Sequence, residues 1–480
     1  MQKKILVANR GEIAIRIIRA IQELGYGAVG VYETPDNDAL HIRVADEAIW
    51  LGDGPRCDYL NIDKIIQAAK KAGAAAIHPG YGFLAENPGL AKACEEAGII
   101  FIGPSAEVIQ NLGDKVTARE IMKQANIPMT PGTPNLSPGE AGVQEAVDFA
   151  KQYGYPIMLK ATAGGGGRGI RRVDSEAQLR GEVQVARAEA KAAFNNDNIF
   201  LEKVVLTPKH IEVQIIADKD GRTVHLGSRD CSIQRRNQKL VEIAPALIKD
   251  RKLVDEICET AVRAAKAANY FNAGTVEFLV DKEMNYYFME INTRIQVEHT
   301  VTEMVTGIDI VRTQIKLAMG KKLSFTQDDI QIRGFAIEMR INAEDPQNNF
   351  MPEGGKTVVV YRSPGGYGVR LDGFVYQGYT IPEVYDSLLV KLTVHGFSWN
   401  ETVDRLRRCL KNYVIVGPKT TIPFYLTLVQ DPDFKAGDFD TSFLETHPHL
   451  LDYEEQGSEV NKLARLIAEI HYEKQNSYAI

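Results

Sequence analysis

The chain has 480 residues, a formal net charge of -7 at pH 7 and a sequence pI of about 5.8. Single hydrophobic cores seldom grow beyond roughly 250–300 residues, so this length predicts several domains. The acidic balance argues against nucleic acid as a partner. No stretch reaches the roughly 18 apolar residues of a membrane-spanning helix, so we expect no membrane association.

The cysteines do not form a recognisable framework. They are scattered and contain no CxxC pair: Cys57, Cys94, Cys231, Cys258 and Cys409. This pattern favours neither disulfides nor a zinc site, and it suits a reducing compartment. The N-terminus has too short an apolar run for a signal peptide. We therefore expect a cytoplasmic enzyme.

The N-terminal part alternates short apolar runs with helical patterns. The predicted elements are strands at 5–8, 27–32, 74–78 and 99–103 and a helix at 12–24. Ile13, Ile17 and Ile21 recur on one face of that helix. The β-α-β order is typical of a parallel sheet with crossover helices. We expect this first domain to cover residues 1–113.

A small α+β unit follows a segment rich in proline and glycine at residues 131–142, which we interpret as a hinge. Its predicted elements are strands at 156–161, 170–173 and 199–204 and a helix that ends near residue 194. Ser175 and Gln178 have the spacing of a capping box at the start of that helix. The hinge and this unit together form a predicted lid over residues 131–204.

The glycine run GGGGRG at residues 164–169 satisfies the G-x-G-x-x-G pattern of dinucleotide sites. That motif requires a helix directly after the glycines, whereas residues 170–173 predict a strand. Glycines between two strands form a flap whose backbone N–H groups can close over phosphates, and Lys160 supplies a cation nearby. A surface turn without a ligand is the alternative.

Two later strands flank a predicted turn at residues 281–285. Centring the turn between Glu283 and Met284 gives these pairs: Val280 with Tyr287, Phe278 with Met289, and Glu277 with Glu290. Period-2 alternation then places Glu277, Glu290 and Asn292 on one polar face.

Two glutamates directly opposite each other in a sheet destabilise it by up to roughly 1 kcal/mol. Such a pair persists where a cation lies between the side chains, and clustered oxygen donors suit Mg²⁺ that also binds phosphates. The alternative is a pair of solvated glutamates on an exposed face. Polar residues continue at every second position through Arg294, Gln296 and Glu298, which favours a site floor over a random surface.

Over residues 1–445 the chain resembles the biotin carboxylases of the ATP-grasp superfamily. The resemblance lies in ANRGEIAIRIIRA (8–20), HPGYGFLAEN (78–87), GDK (113–115), KATAGGGGRG (160–169), RDCSIQRRNQK (229–239), MEINTRIQVEHTVTE (289–303), RINAEDP (340–346) and YDSLLVKL (385–392). Several of these segments are specific to that family, and their order and spacing also agree with it.

The resemblance implies a mixed α/β and α+β fold with a parallel-sheet N-terminal domain. Its expected divisions are an N-terminal domain at 1–113, an ATP-grasp domain at 114–328 that includes the lid, a C-terminal domain at 329–446 and a helical tail at 447–480. Within the tail, residues 458–472 have the spacing of an amphipathic helix.

The family pattern also implies roles for matching positions. The implied ATP contacts are Lys115, Lys160, Gly164, Gly165, Gly166, Gly167, Glu202, Lys203, Val204, His210, Gln234 and Asn237. The implied metal site consists of Glu277, Glu290 and Asn292. The implied bicarbonate pocket consists of Lys239, Arg294, Gln296 and Val297, with Glu298 as the base and Lys239, Arg294, Glu298 and Arg340 as catalytic residues. The implied biotin contacts are Tyr81, Arg340 and Asp386.

These roles imply a first half-reaction that uses ATP, Mg²⁺ or Mn²⁺, and bicarbonate. Glu298 removes the bicarbonate proton as bicarbonate attacks the γ-phosphorus of ATP. The resulting carboxyphosphate releases CO₂ and phosphate, and phosphate takes the ureido proton of biotin. Arg340 then offsets the negative charge on the ureido oxygen. Lid closure excludes the water that would destroy the intermediate.

Two positions need separate comment. Most family members carry histidine where this chain has Asn237, which cannot become cationic, and we interpret the difference as neutral. Cys231 lies within RDCSIQRR, and we expect a packed rather than a catalytic thiol.

The chain lacks the A/V-M-K-M biotinylation turn, and its nearest match, Ile121-Met122-Lys123-Gln124, lacks the second methionine. The resemblance therefore implies that a biotin carrier and a carboxyltransferase are separate partners. The long tail favours pyruvate carboxylase over acetyl-CoA carboxylase as the parent enzyme. Family members form homodimers, and the residues that match their interface are Arg19, Glu23, Tyr367 and Arg370.

Two competing functions remain. Another ATP-grasp ligase, such as a carbamoyl-phosphate or purine-pathway enzyme, shares Lys115, Lys160, Glu277 and Glu290 but not the segment from Arg294 to Glu298. A non-catalytic scaffold that binds nucleotide is the second alternative, and the complete set of base, metal ligands and enolate stabiliser argues against it.

Overall fold

The computed structural model describes residues 2–54, 57–162, 169–453 and 467–468. Gly164–Gly167 and almost all of the predicted tail helix lie outside these described residues.

The N-terminal region is built around a parallel sheet. Its elements are β1 (Lys4–Val7), α1 (Gly11–Glu23), β2 (Gly27–Glu33), α2 (Leu40–Val44), β3 (Glu47–Gly52), α3 (Ile62–Ala72), β4 (Ala74–His78), α4 (Pro88–Glu96), β5 (Ile100–Phe101), α5 (Ala106–Gly113) and α6 (Lys115–Gln124). The sheet order is β3-β2-β1-β4-β5, and all neighbours are parallel. The apolar face of α1, with Ile13, Ile17 and Ile21, is buried against this sheet. The prediction of a parallel α/β unit is confirmed.

A smaller sheet forms the next region. Its elements are α7 (Gly139–Tyr153), β6 (Ile157–Ala161), β7 (Ile170–Val173), α8 (Glu176–Phe194) and β8 (Ile199–Lys203). The three strands are antiparallel in the order β7-β6-β8. The glycine run therefore lies between two paired strands, and the helix required by a dinucleotide motif does not follow it.

Two local predictions in this region were wrong. Helix α7 begins at Gly139, so the second half of the predicted hinge is helical. At the start of α8, Gln178 Oε1 accepts from the backbone N of Asp174 at 3.1 Å, one residue before the predicted partner Ser175. The capping box is therefore replaced by a bond to the preceding residue.

The rest of the chain forms one large antiparallel sheet with attached helices. Its elements are β9 (Lys209–Ala217), β10 (Thr223–Asp230), β11 (Gln234–Arg235), β12 (Gln238–Lys239), β13 (Val241–Ala244), α9 (Arg251–Ala267), β14 (Asn272–Val280), β15 (Tyr286–Asn292), α10 (His299–Thr306), α11 (Ile310–Ala318), β16 (Phe335–Asn342), β17 (Glu344–Asp345), β18 (Met351–Pro352), β19 (Val360–Arg362), β20 (Val369–Gly373), β21 (Leu388–Gly396), α12 (Trp399–Asn412), β22 (Val414–Val416), α13 (Ile422–Leu428), α14 (Pro432–Ala436) and α15 (Phe443–Thr446).

Eight strands of this region join in the order β15-β14-β9-β10-β13-β16-β21-β20. The β13–β16 pair connects strands that lie on either side of the predicted division at residue 328. The ATP-grasp and C-terminal parts of the chain therefore share a single hydrogen-bonded sheet.

The two faces of strand β9 show how this sheet positions a site. Ile211, Val213 and Ile215 belong to the core cluster that includes helix α9. His210 and Glu212 alternate with them and so point to the opposite face. The apolar side is therefore fixed by packing, and the polar side is available for chemistry.

A buried contact ties the N-terminal region to the C-terminal part. Arg10 donates to Asp36 at 2.7 Å and lies 3.9 Å from the ring centroid of Tyr385. Within the described residues, no helix is long and apolar enough to cross a membrane.

Candidate active site

The hairpin of β14 and β15 brings the predicted metal carboxylates together. Glu277 pairs directly with Glu290, as predicted. Glu277 is only 3% exposed, and Glu290 is half-buried. The alternative of solvated glutamates on an exposed face is therefore wrong.

The rest of the hairpin register differs from the prediction. Phe278 pairs with Phe288, although Met289 was its predicted partner. Val280 likewise pairs one residue earlier than predicted, with Tyr286. The cause is a β-bulge in which Met289 is the extra residue, and it lets both glutamates and the apolar face keep their sides of the sheet.

The glutamate pair is part of a longer row across the sheet. Glu212 on β9 lies directly opposite Glu277, and Arg229 on β10 lies directly opposite Glu212. Four neighbouring strands therefore present Arg229, Glu212, Glu277 and Glu290 in line. Both Arg229 and Glu212 are fully buried and paired with each other. The sequence analysis missed these two residues, although polar side chains at alternate positions of an apolar strand were the signal.

Lys239 is the cationic centre of this site. Its Nζ lies 2.6 Å from Glu212, 2.8 Å from Glu277 and 2.8 Å from Glu298. Burial opposes the charge of Lys239, yet the three carboxylates raise its pKa well above the ordinary lysine value. Lys239 therefore stays protonated and joins the metal-ligand candidate to the candidate base.

The carboxylate of Glu298 is held between two cations. One oxygen contacts Lys239, and the other lies 3.2 Å from Nη2 of Arg340. Burial opposes its ionisation, but Lys239 and Arg340 hold the pKa of Glu298 well below its usual range. Arg340 in turn donates from Nε to Glu242 at 2.7 Å. Glu298 is therefore an ionised acceptor beside a fixed guanidinium.

The segment that follows β15 completes the site floor. Gln296 accepts from Arg229 at 2.7 Å and donates to Glu277 at 2.8 Å. The carbonyl of Val297 accepts from the buried Lys391 at 2.8 Å. Arg294 lies 3.0 Å from Glu86. Each predicted bicarbonate residue is thus held by a buried or half-buried partner.

The predicted nucleotide residues form a second cationic group at the lid. Lys160 and Arg119 both contact the carboxylate of Glu202, the latter at 2.6 Å. Burial opposes the charge of Glu202, but these cations hold its pKa below the usual value. Burial lowers the pKa of Lys115, and Glu290 acts against that shift. Glu202 therefore positions the two basic side chains, and Arg119 is a site neighbour that the sequence analysis missed.

Two further predicted nucleotide contacts have mainly backbone partners. Nζ of Lys203 donates to the carbonyls of Gly154 and Tyr155 at 3.0 and 3.1 Å. The backbone N of Val204 donates to Pro156 at 3.4 Å. These contacts hold strand β8 against the start of β6.

His210 and Gln234 are hydrogen-bonded to each other at 2.6 Å. The other ring nitrogen of His210 lies 2.9 Å from Glu277, so the pair extends the carboxylate row toward β11. Asn237 is exposed in the two-residue turn between β11 and β12. Both Arg236 and Asn237 have positive φ, at 50° and 63°. Asparagine tolerates this left-handed conformation better than most residues, which gives a conformational reason for its presence.

The predicted biotin contacts differ in their surroundings. Tyr81 donates to the buried Glu12. Asp386 is exposed and accepts from the backbone N of Leu388 at 2.9 Å. Arg340 is the member of this set that directly contacts the Glu298 centre.

Comparisons with known proteins agree with this arrangement. Residues 1–109 match the biotin carboxylase N-terminal domain, residues 114–326 the ATP-binding domain of the carbamoyl-phosphate synthase L chain, and residues 338–446 the biotin carboxylase C-terminal domain. The chain is 50% identical to Biotin carboxylase 1 of Bacillus subtilis over 449 residues, which cover 93% of this chain and 99% of that protein. The chain belongs to the biotin carboxylase family.

A second relative of this biotin carboxylase is a pyruvate carboxylase subunit of Methanothermobacter thermautotrophicus. It is 49% identical over 455 residues, which cover 95% of this chain and 92% of the relative. A similar solved structure is the biotin carboxylase domain dimer of Hydrogenobacter thermophilus 2-oxoglutarate carboxylase, in complex with MgADP, ADP and bicarbonate. It has a TM-score of 0.91 and 50% identity, and covers 95% of this chain and 100% of that chain. The predicted family, mixed fold and enzyme class, an ATP-dependent carboxylating ligase, are confirmed.

Biotin carboxylases use ATP, Mg²⁺ and biotin on a carrier, and the carboxylate row fits a hard cation. Burial and the neighbouring Glu277 raise the pKa of Glu290, so the pair carries unfavourable charge that a divalent ion relieves. Asn292 has a different role in this arrangement. Its amide donates to Glu277 at 2.9 Å while its carbonyl accepts from Arg294 at 3.1 Å, so it orients a ligand. Cys231 is buried with a pKa well above the ordinary thiol value, which disfavours a reactive thiolate.

Proposed function

We propose that this chain carboxylates biotin on a separate carrier protein, with the Lys239 cluster as the place where bicarbonate is activated. The observation that carries the proposal is the single buried network in which Lys239 contacts Glu277 and Glu298, and Glu298 contacts Arg340. This network joins a phosphate-binding cation site to a base and to a guanidinium within one set of contacts. Acyl-phosphate formation and the carboxylation that follows need those three elements together.

Glu298 is the proposed base. Lys239 and Arg340 keep it ionised, so it can accept a proton. When bicarbonate enters, its negative charge competes for these cations and raises the proton affinity of Glu298. Bicarbonate then forms a bond from its oxygen to the γ-phosphorus, ADP leaves, and the bicarbonate proton passes to Glu298. The product of this step is carboxyphosphate.

Arg340 is the proposed stabiliser of the second step. Carboxyphosphate yields CO₂ and phosphate, phosphate takes the proton from the ureido nitrogen of biotin, and that nitrogen forms a bond to CO₂. Negative charge develops on the ureido oxygen during this transfer. Arg340 is fixed by Glu242 through two of its nitrogens, at 2.7 and 2.5 Å, so its remaining donors face the cavity with little loss of side-chain entropy.

The remaining roles follow from position. Lys115, Lys160 and the glycine flap are proposed phosphate contacts, and residues 131–204 form the proposed lid. Glu277 and Glu290 would hold Mg²⁺, which neutralises charge on the ATP phosphates when bound. Tyr81 and Asp386 are proposed neighbours of biotin. The divisions at residues 113, 328 and 446 are the proposed domain limits.

The proposed partners are a biotin carrier, a separate carboxyltransferase and a second copy of this chain, all in the cytoplasm. Tyr367 is 72% exposed, which suits an interface, and Arg370 is held at 2.6 Å by both Glu303 and Asp372. We propose pyruvate as the final acceptor, supported by the long tail and by a relative named for that substrate. Reconstitution with the co-purifying carboxyltransferase, offered pyruvate, 2-oxoglutarate and acetyl-CoA in turn, tests the acceptor.

The half-reaction is tested by ADP release from the purified chain with bicarbonate and free biotin. We expect ATP turnover that requires bicarbonate, rises with biotin and is lost in Glu298→Gln. A matched control is Glu283→Gln, an exposed residue in the β14–β15 turn. Turnover driven by another nucleophile, such as ammonia, would favour a different ATP-grasp ligase. Binding without turnover would favour a scaffold.

A further inference from the structure

A second pair of opposed carboxylates lies behind Arg340. Glu242 on β13 pairs directly with Glu338 on β16, so both side chains are on the same face of neighbouring strands. Both residues are completely buried. Two ionised carboxylates in this position repel each other and lose their hydration, which costs several kcal/mol unless charge is removed or matched.

The hydrogen bonds of this pair are incomplete in a specific way. Glu242 uses one oxygen for Arg340, and Glu338 uses one oxygen for the hydroxyls of Thr300 and Thr393. The other oxygen of each residue is buried and has no hydrogen-bond partner among the described residues. The two unpartnered oxygens therefore belong to directly opposed side chains.

The charges around the pair do not balance if both carboxylates are ionised. Glu338 faces Lys391, Arg340 and Tyr81, and Lys391 is already 3.2 Å from the buried Glu12. Arg340 is likewise shared between Glu242 and Glu298. Four buried acids then share two cations, because Lys239 serves its own cluster.

Glu242 also faces Glu298, Lys239, Cys231 and Tyr425. Burial is the largest influence on both acids. It raises the pKa of Glu242 to about 7 and that of Glu338 to about 8.

We propose that Glu242 and Glu338 share one proton between their two unpartnered oxygens, and that this singly charged pair is the positioning device for Arg340. One proton supplies a donor for the oxygen that lacks one and reduces the charge of the pair to that of a single carboxylate. Arg340 then meets one anionic partner on the strand side and keeps donors directed at the substrate. This inference rests on the proposed role of Arg340 in biotin carboxylation.

The pair affects the reaction through charge. If the proton is lost, a second buried negative charge lies behind Arg340 and draws its guanidinium away from the developing ureido oxygen. The biotin-dependent step weakens as a result, whereas nucleotide binding at the lid is remote from the pair. A role in packing alone would not give this dependence on protonation.

The direct test is infrared spectroscopy of the full chain at pH 7. We expect wild type to show the carbonyl stretch of a protonated carboxylic acid that shifts in D₂O and is absent from Glu338→Gln. Glu107→Gln, which removes an exposed carboxylate on α5, is the matched control and should leave the band intact. A wild-type spectrum from which Glu338→Gln removes no such band overturns the proposal. If Glu338→Gln does not fold, Thr300→Val must shift the band, because it removes a hydroxyl that contacts Glu338, and an unmoved band is equally decisive.

The kinetic test is the pH profile of kcat/KM for free biotin in ADP release. In wild type we expect a decline above about pH 8 that approaches tenfold per pH unit, as for a single ionisation. Glu338→Gln cannot ionise and should lack this decline, while its KM for ATP stays within about twofold of wild type. A decline that persists in Glu338→Gln contradicts the proposal. If wild type shows no stimulation by biotin, the proposed function fails, but the infrared result still decides whether the proton is present.

Discussion

Replacing Lys239 with methionine should destabilise the fold, because three buried carboxylates lose their shared cation. The ammonium lies within 2.8 Å of Glu212, Glu277 and Glu298. Removal of one partner from a buried ion pair typically costs about 3–5 kcal/mol. Each carboxylate keeps one further basic partner, Arg229, His210 or Arg340 respectively, so we expect about 3–5 kcal/mol in total rather than three times that amount.

The loss should depend on pH in a defined direction. Lys239 helps to hold the pKa of Glu277 and Glu298 below the ordinary value. Stability from such depressed acids is present above the ordinary carboxyl pKa of about 4.3 and is lost as pH falls. In Lys239→Met these acids bind protons more readily, so the deficit should be largest near pH 7.5 and smaller at pH 5.5.

The measurement is urea unfolding followed by circular dichroism at those two pH values. Lys322→Met is the control, because Lys322 pairs with Asp220 at 2.6 Å but both side chains are more than half exposed. Such a surface pair contributes about 0–1 kcal/mol. A deficit for Lys239→Met below about 1 kcal/mol, or one that grows at pH 5.5, would refute the idea that Lys239 neutralises the carboxylate row.

Three further results are expected. Glu290→Gln should raise the Mg²⁺ concentration needed for half-maximal ATP turnover by at least about tenfold, because an amide is a weaker ligand than a carboxylate; a Mg²⁺ titration identical to that of Glu283→Gln would contradict this. Asn237→Val should lower the free energy of unfolding by about 1–2 kcal/mol, because a β-branched residue is poorly suited to the positive φ of 63°, whereas Asn237→Gly should not. Asn237→His should leave the KM for ATP unchanged, and a lower KM would show that the turn residue contacts nucleotide. Tyr367→Arg should shift the mass measured by light scattering from dimer to monomer, while Trp50→Ala, at a similarly exposed site, should not.

The sequence predicts the parts of this protein that depend on local patterns. The parallel order of the N-terminal sheet follows from alternating strands and helices, and the Glu277–Glu290 pair follows from one turn and period-2 alternation. The bulge at Met289 could not be predicted in this way, because a single inserted residue leaves both flanking patterns intact. The same applies to Gln178, whose spacing fits a capping box although its side chain bonds to the residue before the cap.

The tertiary part of the site required either the structure or a family resemblance. Nothing in the local pattern of β12 indicates that Lys239 contacts three other strands or loops. Glu212 and Arg229 are charged residues in apolar strands, which is an available signal, but their pairing depends on which strands become neighbours. Resemblance supplied bicarbonate and biotin, and the geometry supplied the shared contacts among their candidate residues.

The pairing of β13 with β16 also limits how the chain can be divided. The matched ATP-binding domain ends at residue 326, whereas β16 begins at Phe335. A fragment that stops there would expose the backbone N–H and C=O groups of β13 along an apolar edge, and such an edge recruits strands from other molecules. The C-terminal region would expose the matching edge of β16. Excised halves of this protein should therefore aggregate when expressed alone and regain solubility when expressed together, which makes the sheet a natural seam for a split reporter.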